Sequence, residues 1–286
     1  MPKTTDPSRR IAGVTIPLFS LRSTRSWGIG EIPDLPELAA WLATVGVRLV
    51  QLLPLGEMSG GETSPYSALS AFGIDPLYVG VEGLRELEGE DATALLTAQD
   101  RDTLARARGS SRIDYGAVRW VKRQALARAF ERFVDRELAE ETERAAAFRA
   151  FVLAESAWLE DFALYRALKD HHGGVAWWDW PARLAAREPA ALELARRDLA
   201  RAILEHQWMQ FVAHEQWSAA RAALAAVGVE VMGDLPFMVA RDSADVWANQ
   251  AEFDNAVAVG VPPDAFDEDG QDWDLPSYDW PAMARG

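Results

Sequence analysis

Val47-Arg48-Leu49-Val50-Gln51-Leu52-Leu53, closed by Pro54, is the stretch on which the fold turns. It is a nearly unbroken apolar run of strand length. Just upstream, residues 33–45 carry Leu35, Leu38, Trp41, Leu42 and Val45 at helical spacing, and Gly46 stops the pattern. Before that, residues 11–18 read as a first buried strand. Strand, helix and apolar second strand together predict a parallel sheet covered on both faces. Further on, the valine-rich residues 229–232 read as a third strand that ends at Gly233-Asp234.

Between the second and third strands the chain turns helical and charged. The periodicity predicts helices over 85–108, 115–136, 145–169 and 190–227, with Gly173-Gly174 breaking the third and Gly228 capping the last. An insertion of this length exceeds an ordinary crossover. The predicted fold is α/β: the N-terminal part of a (β/α)8 TIM barrel with a large helical insertion between strands 2 and 3. The predicted organisation is a disordered lead-in at 1–10, strands 1 and 2 with their loops at 11–82, the helical insertion at 83–227, and strand 3 with a ligand-binding loop at 228–286.

Composition narrows the function. The chain has 286 residues, 49% of them hydrophobic, and a formal charge of −15, which argues against nucleic acid or an anionic membrane surface as partner. A neutral ligand such as a sugar needs no electrostatic steering. No cysteine is present, so disulfides, thiolate nucleophiles and cysteine metal sites are excluded. His171, His172, His206 and His214 do not fall into metal-ligand spacing with carboxylates. Ser8-Arg9-Arg10 resembles the start of an export signal, but Pro17, Arg22 and Arg25 interrupt the apolar run that would have to follow. No stretch reaches the length of a membrane span, so the cytoplasm is the expected location. The twelve tryptophans supply flat apolar faces of the kind that stack on pyranose rings; most are expected in the core or in helix seams.

In a (β/α) barrel the functional groups sit at the C-terminal ends of the strands. Tyr66, in Ser64-Pro65-Tyr66, fits a sugar-stacking ring and fits a turn residue equally well. Asp234 fits a hydroxyl-binding carboxylate or a turn-capping one. Trp273 lies in a Gly/Asp-rich stretch read as a surface loop, where its ring faces a ligand or packs beneath the loop. Asp242, Asp245, Asp267, Glu268 and Asp269 read as a solvated acidic face.

Several stretches carry a family likeness. They are Trp27-Gly28-Ile29-Gly30-Glu31, Gln51-Leu52-Leu53-Pro54-Leu55-Gly56, Ser64-Pro65-Tyr66 running to Phe72, and Tyr165-Arg166-Ala167-Leu168-Lys169. Gly233-Asp234-Leu235-Pro236-Phe237, Asp242-Ser243-Ala244-Asp245-Val246-Trp247, Gly260-Val261-Pro262-Pro263-Asp264 and Gly270-Gln271-Asp272-Trp273 follow in the same order. Together they resemble the 4-α-glucanotransferases, the amylomaltases and disproportionating enzymes of glycoside hydrolase family 77.

The resemblance implies transfer of an α-1,4-glucan segment to another glucan's 4-hydroxyl through a retaining two-carboxylate mechanism, without metal or organic cofactor. It implies α-1,4-glucans and maltooligosaccharides as partners. It implies substrate-binding roles for Tyr66, Asp234, Asp264, Gln271 and Trp273, and a catalytic role for none of them. The nucleophile and the acid/base are expected beyond Gly286, so the chain reads as a truncated copy, inactive alone, with a C-terminal half as its missing partner. Arg112-Ile113-Asp114-Tyr115 resembles the family's nucleophile segment by letters, yet lies in the helical insertion and is rejected on position.

Two departures stand out: Asp274 follows Trp273 where the family usually has glycine, and Ala265-Phe266 follows Asp264 where an aromatic pair is common. Other readings are a non-catalytic glucan-binding half barrel, a small enzyme using Asp234 with Asp264, and an α-amylase relative.

Overall fold

The computed structural model describes residues 10–58, 64–235, 237–265 and 267–285. The lead-in at 1–9 and part of the loop after the second strand lie outside these residues. The first elements are β1 (Gly13–Ile16), α1 (Leu35–Thr44) and β2 (Leu49–Leu52). Then come α2 (Ala98–Gly109), α3 (Tyr115–Arg132), α4 (Glu143–Ala154), α5 (Ser156–His171), α6 (Ala182–Ala185), α7 (Pro189–Asp198) and α8 (Ala200–Ala226). The chain continues through β3 (Glu230–Met232), α9 (Ala244–Ala248), β4 (Phe253–Val261), β5 (Gln271–Tyr278) and α10 (Trp280–Met283).

It folds as two compact units, one from residues 1–55, 76–129 and 212–235, the other from 56–75, 130–211 and 236–286.

The first unit holds a parallel sheet in the order β1-β2-β3, with Thr15 opposite Gln51 and Gln51 opposite Met232. Its strands are shorter than the sequence predicts, because Pro17 and Leu18–Ser20 turn the chain out of β1 at once. Burial differs too. Val50 and Leu52 are fully buried, while Leu49 and Gln51 on the other face are half-buried and Met232 is exposed. Among the described residues only one face of the sheet is well covered, which corrects the expectation of two. Thr15 donates across to the Gln51 side chain at 2.9 Å on the open face.

The helical stretches break where strong helix formers gave no sign of it. Residues 85–97 form two single turns, Arg85–Leu87 and Ala92–Leu95, before Thr97 caps α2 by accepting from Asp100 N–H at 3.2 Å. The predicted helix at 145–169 is two helices, interrupted at Glu155, and that at 190–227 is interrupted at Leu199. At Phe133–Leu138 the backbone widens into a π turn. In the second unit Phe130, Phe133, Phe148, Phe151, Trp208 and Phe211 form an aromatic core, with ring separations from 5.2 Å for Phe133–Phe148 to 6.1 Å for Phe133–Trp208.

Two glutamines of α8 hold neighbouring chain by its backbone. Ile74 N–H donates to the Gln210 side chain and Gln210 donates back to Ile74 C=O, both at 2.9 Å. Gln216 makes the same reciprocal pair with Gly80, both at 2.8 Å.

The largest difference from the sequence reading is β4 and β5. The sequence predicts loops at 260–264 and 270–273. Residues 262–264 and Gly270 are loop, but Gly260, Val261 and residues 271–273 lie in the strands of an antiparallel pair in which Phe253 faces Tyr278 and Val261 faces Gln271. Most residues of both strands are at least half-exposed, so no apolar alternation marks them.

Candidate functional site

The tip of the β4–β5 pair is built by two glycines. A Cβ on Gly260 would stand 2.0 Å from Gln271 C=O, and one on Gly270 would stand 2.6 Å from Val261 C=O. Side chains there would push the strands apart. Gly270 also sits at φ 71°, which glycine adopts without steric cost. Between them, Asp264 closes a turn: its N–H donates to Asp267 C=O at 2.9 Å, and Asp267 N–H donates to its carboxylate at 2.9 Å.

Gln271 and Trp273 share one face of β5, and the Trp273 indole N–H donates to Gln271 Oε1 at 3.0 Å. Trp273 remains 45% exposed, so the bond fixes the ring while leaving its face open to a ligand. Asp274 follows at φ 50°, where the register of the pair shifts, and its N–H donates to Asp272 at 2.9 Å. At the base of the pair Tyr278 donates to Phe237 C=O at 2.8 Å and its ring lies between Phe253 and Trp280.

Tyr66 lies in the same unit, 52% exposed, on a loop held at its stem by the bridges Gly56–Ile74 and Met58–Ala68. The following residues are tied to the start of α9 and to the segment before it. Ala240 N–H donates to Ala68 C=O at 3.1 Å, Ala244 N–H to Leu69 C=O at 2.8 Å, and Ala71 N–H to the Asp245 carboxylate at 3.1 Å. Burial raises the Asp245 carboxyl above its ordinary range, against the hydrogen bonds from Ala71 and Ser70 that favour the anion.

Asp242 accepts from Tyr165 at 2.8 Å, from Trp177 N–H at 3.2 Å and from the Lys169 ammonium. Burial first, and then the Asp242 charge, drive the Tyr165 phenol far above its ordinary value, so it stays a donor. Asp242 and Asp245 are therefore built into the structure, which corrects their reading as a solvated face. Glu268 and Asp269 are exposed.

Asp234 belongs to the other unit, half-buried just past β3. The Trp27–Glu31 stretch of that unit is structural. Trp27 is fully buried, its N–H donates to Glu31 at 2.9 Å and its indole to Glu82 at 2.9 Å. A Cβ on Gly30 would stand 1.9 Å from Leu18 C=O. Glu31 pairs with the Lys122 ammonium at 2.7 Å, which also donates to Leu77 C=O at 2.6 Å and Val79 C=O at 2.8 Å. Burial raises the Glu31 carboxyl despite that cation. Asp114 accepts from Ala117 N–H at 2.9 Å and so starts α3.

So the structure joins Gln271 to Trp273, puts Asp264 at the tip of the same strand pair and Tyr66 on a loop of the same unit. The supporting groups Asp242, Lys169, Tyr165 and Asp245 escaped sequence reasoning as site supports. Their signals in the sequence were their place in two family-like stretches and the one-turn spacing of Tyr165 and Lys169 among apolar neighbours. Among the described residues no group of three or more His, Asp or Glu could hold a metal ion, and no helix is long and apolar enough to cross a membrane.

An exposed ring braced by an amide, with a carboxylate at the turn, offers a stacking face and hydrogen-bonding groups on an α/β protein. The family described as 4-alpha-glucanotransferase matches residues 16–286, and the chain belongs to that family. The 4-alpha-glucanotransferase of Thermus thermophilus is 36% identical over 266 residues, covering 91% of this chain and 50% of that protein. The Synechocystis enzyme is 37% identical over 284 residues, covering 96% and 54%. Among solved structures, amylomaltase from Streptococcus agalactiae in complex with acarbose superposes with TM-score 0.81 at 27% identity, covering 97% of this chain and 55% of that one. Amylomaltase from Corynebacterium glutamicum gives 0.77 at 26%, covering 96% and 37%. The chain spans about half the length of the curated relatives it matches.

Proposed function

We propose that this chain forms the glucan-holding part of a 4-α-glucanotransferase that moves α-1,4-glucan segments by a retaining double displacement. The sheet and helices are read as part of a (β/α)8 barrel whose helical insertion follows the second strand. Tyr66, Asp264, Gln271 and Trp273 hold α-1,4-glucan, and a substrate-binding role is also given to Asp234 at the end of β3. The carrying observation is the Trp273–Gln271 pair, an open indole face fixed by an amide on a strand of the family-matched region. Glucose rings offer a C–H face to the indole and equatorial hydroxyls to the amide and to Asp264. Breaking the glycosidic bond needs a pair of carboxylates flanking it, a role we give to none of these five. No cofactor is required by this chemistry.

Titrating the chain with maltoheptaose tests the reading. Saturable binding is expected, and Trp273→Ala is expected to weaken it about thirtyfold, the effect of removing an aromatic anchor of about 2 kcal/mol. Binding that Trp273→Ala leaves unchanged would remove the proposed site. Incubation with maltotriose separates holding from turnover. Glucose and longer oligosaccharides appearing with the pure chain would show that the reacting carboxylates lie within these residues.

A further inference from the structure

One turn of helix carries more of the site than the site itself shows. On α5, Tyr165, Arg166, Lys169 and Asp170 fall on adjacent turns. Lys169 is 6% exposed and Arg166 has its side chain 14% exposed, unusual for cations on a helix. Each reaches a different segment of the second unit.

Arg166 Nε lies 3.0 Å from Glu57 Oε1, at the stem of the loop that bears Tyr66. That stem is closed by Glu57 N–H donating to Gly73 C=O at 3.0 Å and Met58 N–H donating to Asp75 at 3.3 Å. Glu57 and Asp75 are both buried, so the guanidinium neutralises charge that water does not reach. Burial alone would depress the Arg166 value; Glu57, then Asp170, Tyr165 and Asp75 reverse that and hold it raised.

Lys169 pairs with Asp242 and donates to Val175 C=O at 3.0 Å. Asp242 is the neighbour of Arg241, and Arg241 holds β4 by a hydrogen bond while lying beside a solvent-exposed carboxylate of β5. One guanidinium N–H donates to Asn255 C=O on β4, and Nε lies 3.1 Å from the Asp274 carboxylate on β5. The backbone at Asp242 therefore sets where Arg241 starts, and Arg241 sets where the pair carrying Trp273 lies.

We infer that Lys169 and Arg166 are positioning residues: α5 is a common mount that fixes the Tyr66 loop through Glu57 and the Trp273 strand pair through Asp242 and Arg241. This goes past the proposed glucan-holding role and rests on it only for the ligand. The Tyr-Arg-x-x-Lys spacing thereby gains a physical meaning. Two buried cations one turn apart point to two loops, and Ala71 N–H donating to Asp245 cross-ties those loops independently.

Amide hydrogen exchange on the whole chain, wild type against Lys169→Met, tests the mount without any ligand. The expected result is exchange about tenfold faster at the β4 and β5 amides, with β2 amides in the other unit within about twofold of wild type. Unchanged β4 and β5 amides would overturn the inference. So would an equal rise at β2, because Lys169 would then serve stability alone. Should Lys169→Met fail to fold, Asp242→Asn decides, since it keeps the Oδ1 acceptor for Tyr165 and Trp177 and replaces the carboxylate oxygen facing Lys169 by an amide NH2, removing both charge and acceptor there. The same pattern is expected from it. Maltoheptaose titration of the variant that folds is expected to show binding weakened about tenfold, the size of one lost local interaction near 1.4 kcal/mol. If wild type does not bind maltoheptaose, the glucan-holding proposal falls and the exchange result still decides the mount.

Discussion

The two units hold their loops by opposite means. In the first, Trp27, Ile29, Val50 and Lys122 are almost wholly buried, and the Glu31–Lys122 pair is sealed within that core. In the second, the β4–β5 pair is largely open to water and is fixed by a few polar bonds, from Arg241, Tyr278 and the Asp264 turn. The first arrangement resists change because every atom has neighbours. The second leaves side chains free to meet a ligand and stakes their placement on a handful of groups. Sensitivity should therefore be global in one and local in the other.

The strongest way to break that contrast is Lys122→Met. It leaves the Glu31 carboxylate buried without its cation, and losing one partner of a buried pair typically destabilises by about 3–5 kcal/mol. The effect depends on pH in a fixed direction. Burial already holds the Glu31 value above that of the unfolded chain, and removing the ammonium raises it further. A raised folded value gives stability that is present at low pH and lost as pH rises through it. Urea unfolding at several pH values should show the deficit shrinking towards acid and growing towards neutrality. A deficit independent of pH would mean that Glu31 carries no charge in the fold.

Two glycine substitutions sharpen the contrast with a single added methyl group. Gly30→Ala drives a Cβ against Leu18 C=O in the packed unit and should lower global stability by about 1–3 kcal/mol, as overpacking does. Gly260→Ala makes an equally severe clash with Gln271 C=O, but in the open strand pair. Its thermal midpoint should move little while maltoheptaose binding is lost. If both variants melt alike, the strand pair is as integral to the core as the sheet is.

Asp245→Asn probes the tie between the two site segments. The folded Asp245 value is raised, so the carboxyl contributes stability at low pH that is lost as pH rises from about 4, the unfolded value, through its folded one. The variant cannot titrate at this position, so its stability should depend less steeply on pH over that interval, as read by urea unfolding. An unchanged slope would place the titration elsewhere.

The smallest effect is expected from Asp274→Gly. It relieves a side chain held at φ 50°, a gain of about 1 kcal/mol, and removes a carboxylate near Arg241 that is largely solvent-exposed and stabilises little. Net stability should rise by less than about 1 kcal/mol, checked by thermal melting.

Legibility in the sequence followed the same division. The parallel sheet was readable because Val50 and Leu52 sit in an apolar run that only a buried strand explains. The breaks at Glu155 and Leu199 were not, since neither is a glycine or proline and both neighbours favour helix. The β4–β5 pair was invisible because exposed strands need no alternation, and its glycines, prolines and aspartates read as loop. Gln271 and Asp264 were singled out by likeness to a family alone, whereas Trp273 was also singled out as a ring in a Gly/Asp-rich stretch. Their supports on α5 were missed because an ion pair such as Lys169–Asp242 is defined by partners far apart along the chain. Trp41, Trp120, Trp178, Trp273 and Trp280 are exposed while Trp27, Trp208 and Trp247 are buried, and no tryptophan's neighbours in sequence told which would be which.

Gln210 and Gln216 have a bearing on how this chain can drift. Each grips a neighbour through the peptide group, the one part that nearly every substitution leaves untouched. Ile74 can therefore exchange for many residues without loosening its clamp, and only proline, lacking the N–H, would undo it. Gly80 is freer in its clamp and bound in its packing, because a Cβ there would stand 2.6 Å from Pro33. Across diverging copies of this chain, the two glutamines should outlast the residue at position 74 that one of them holds.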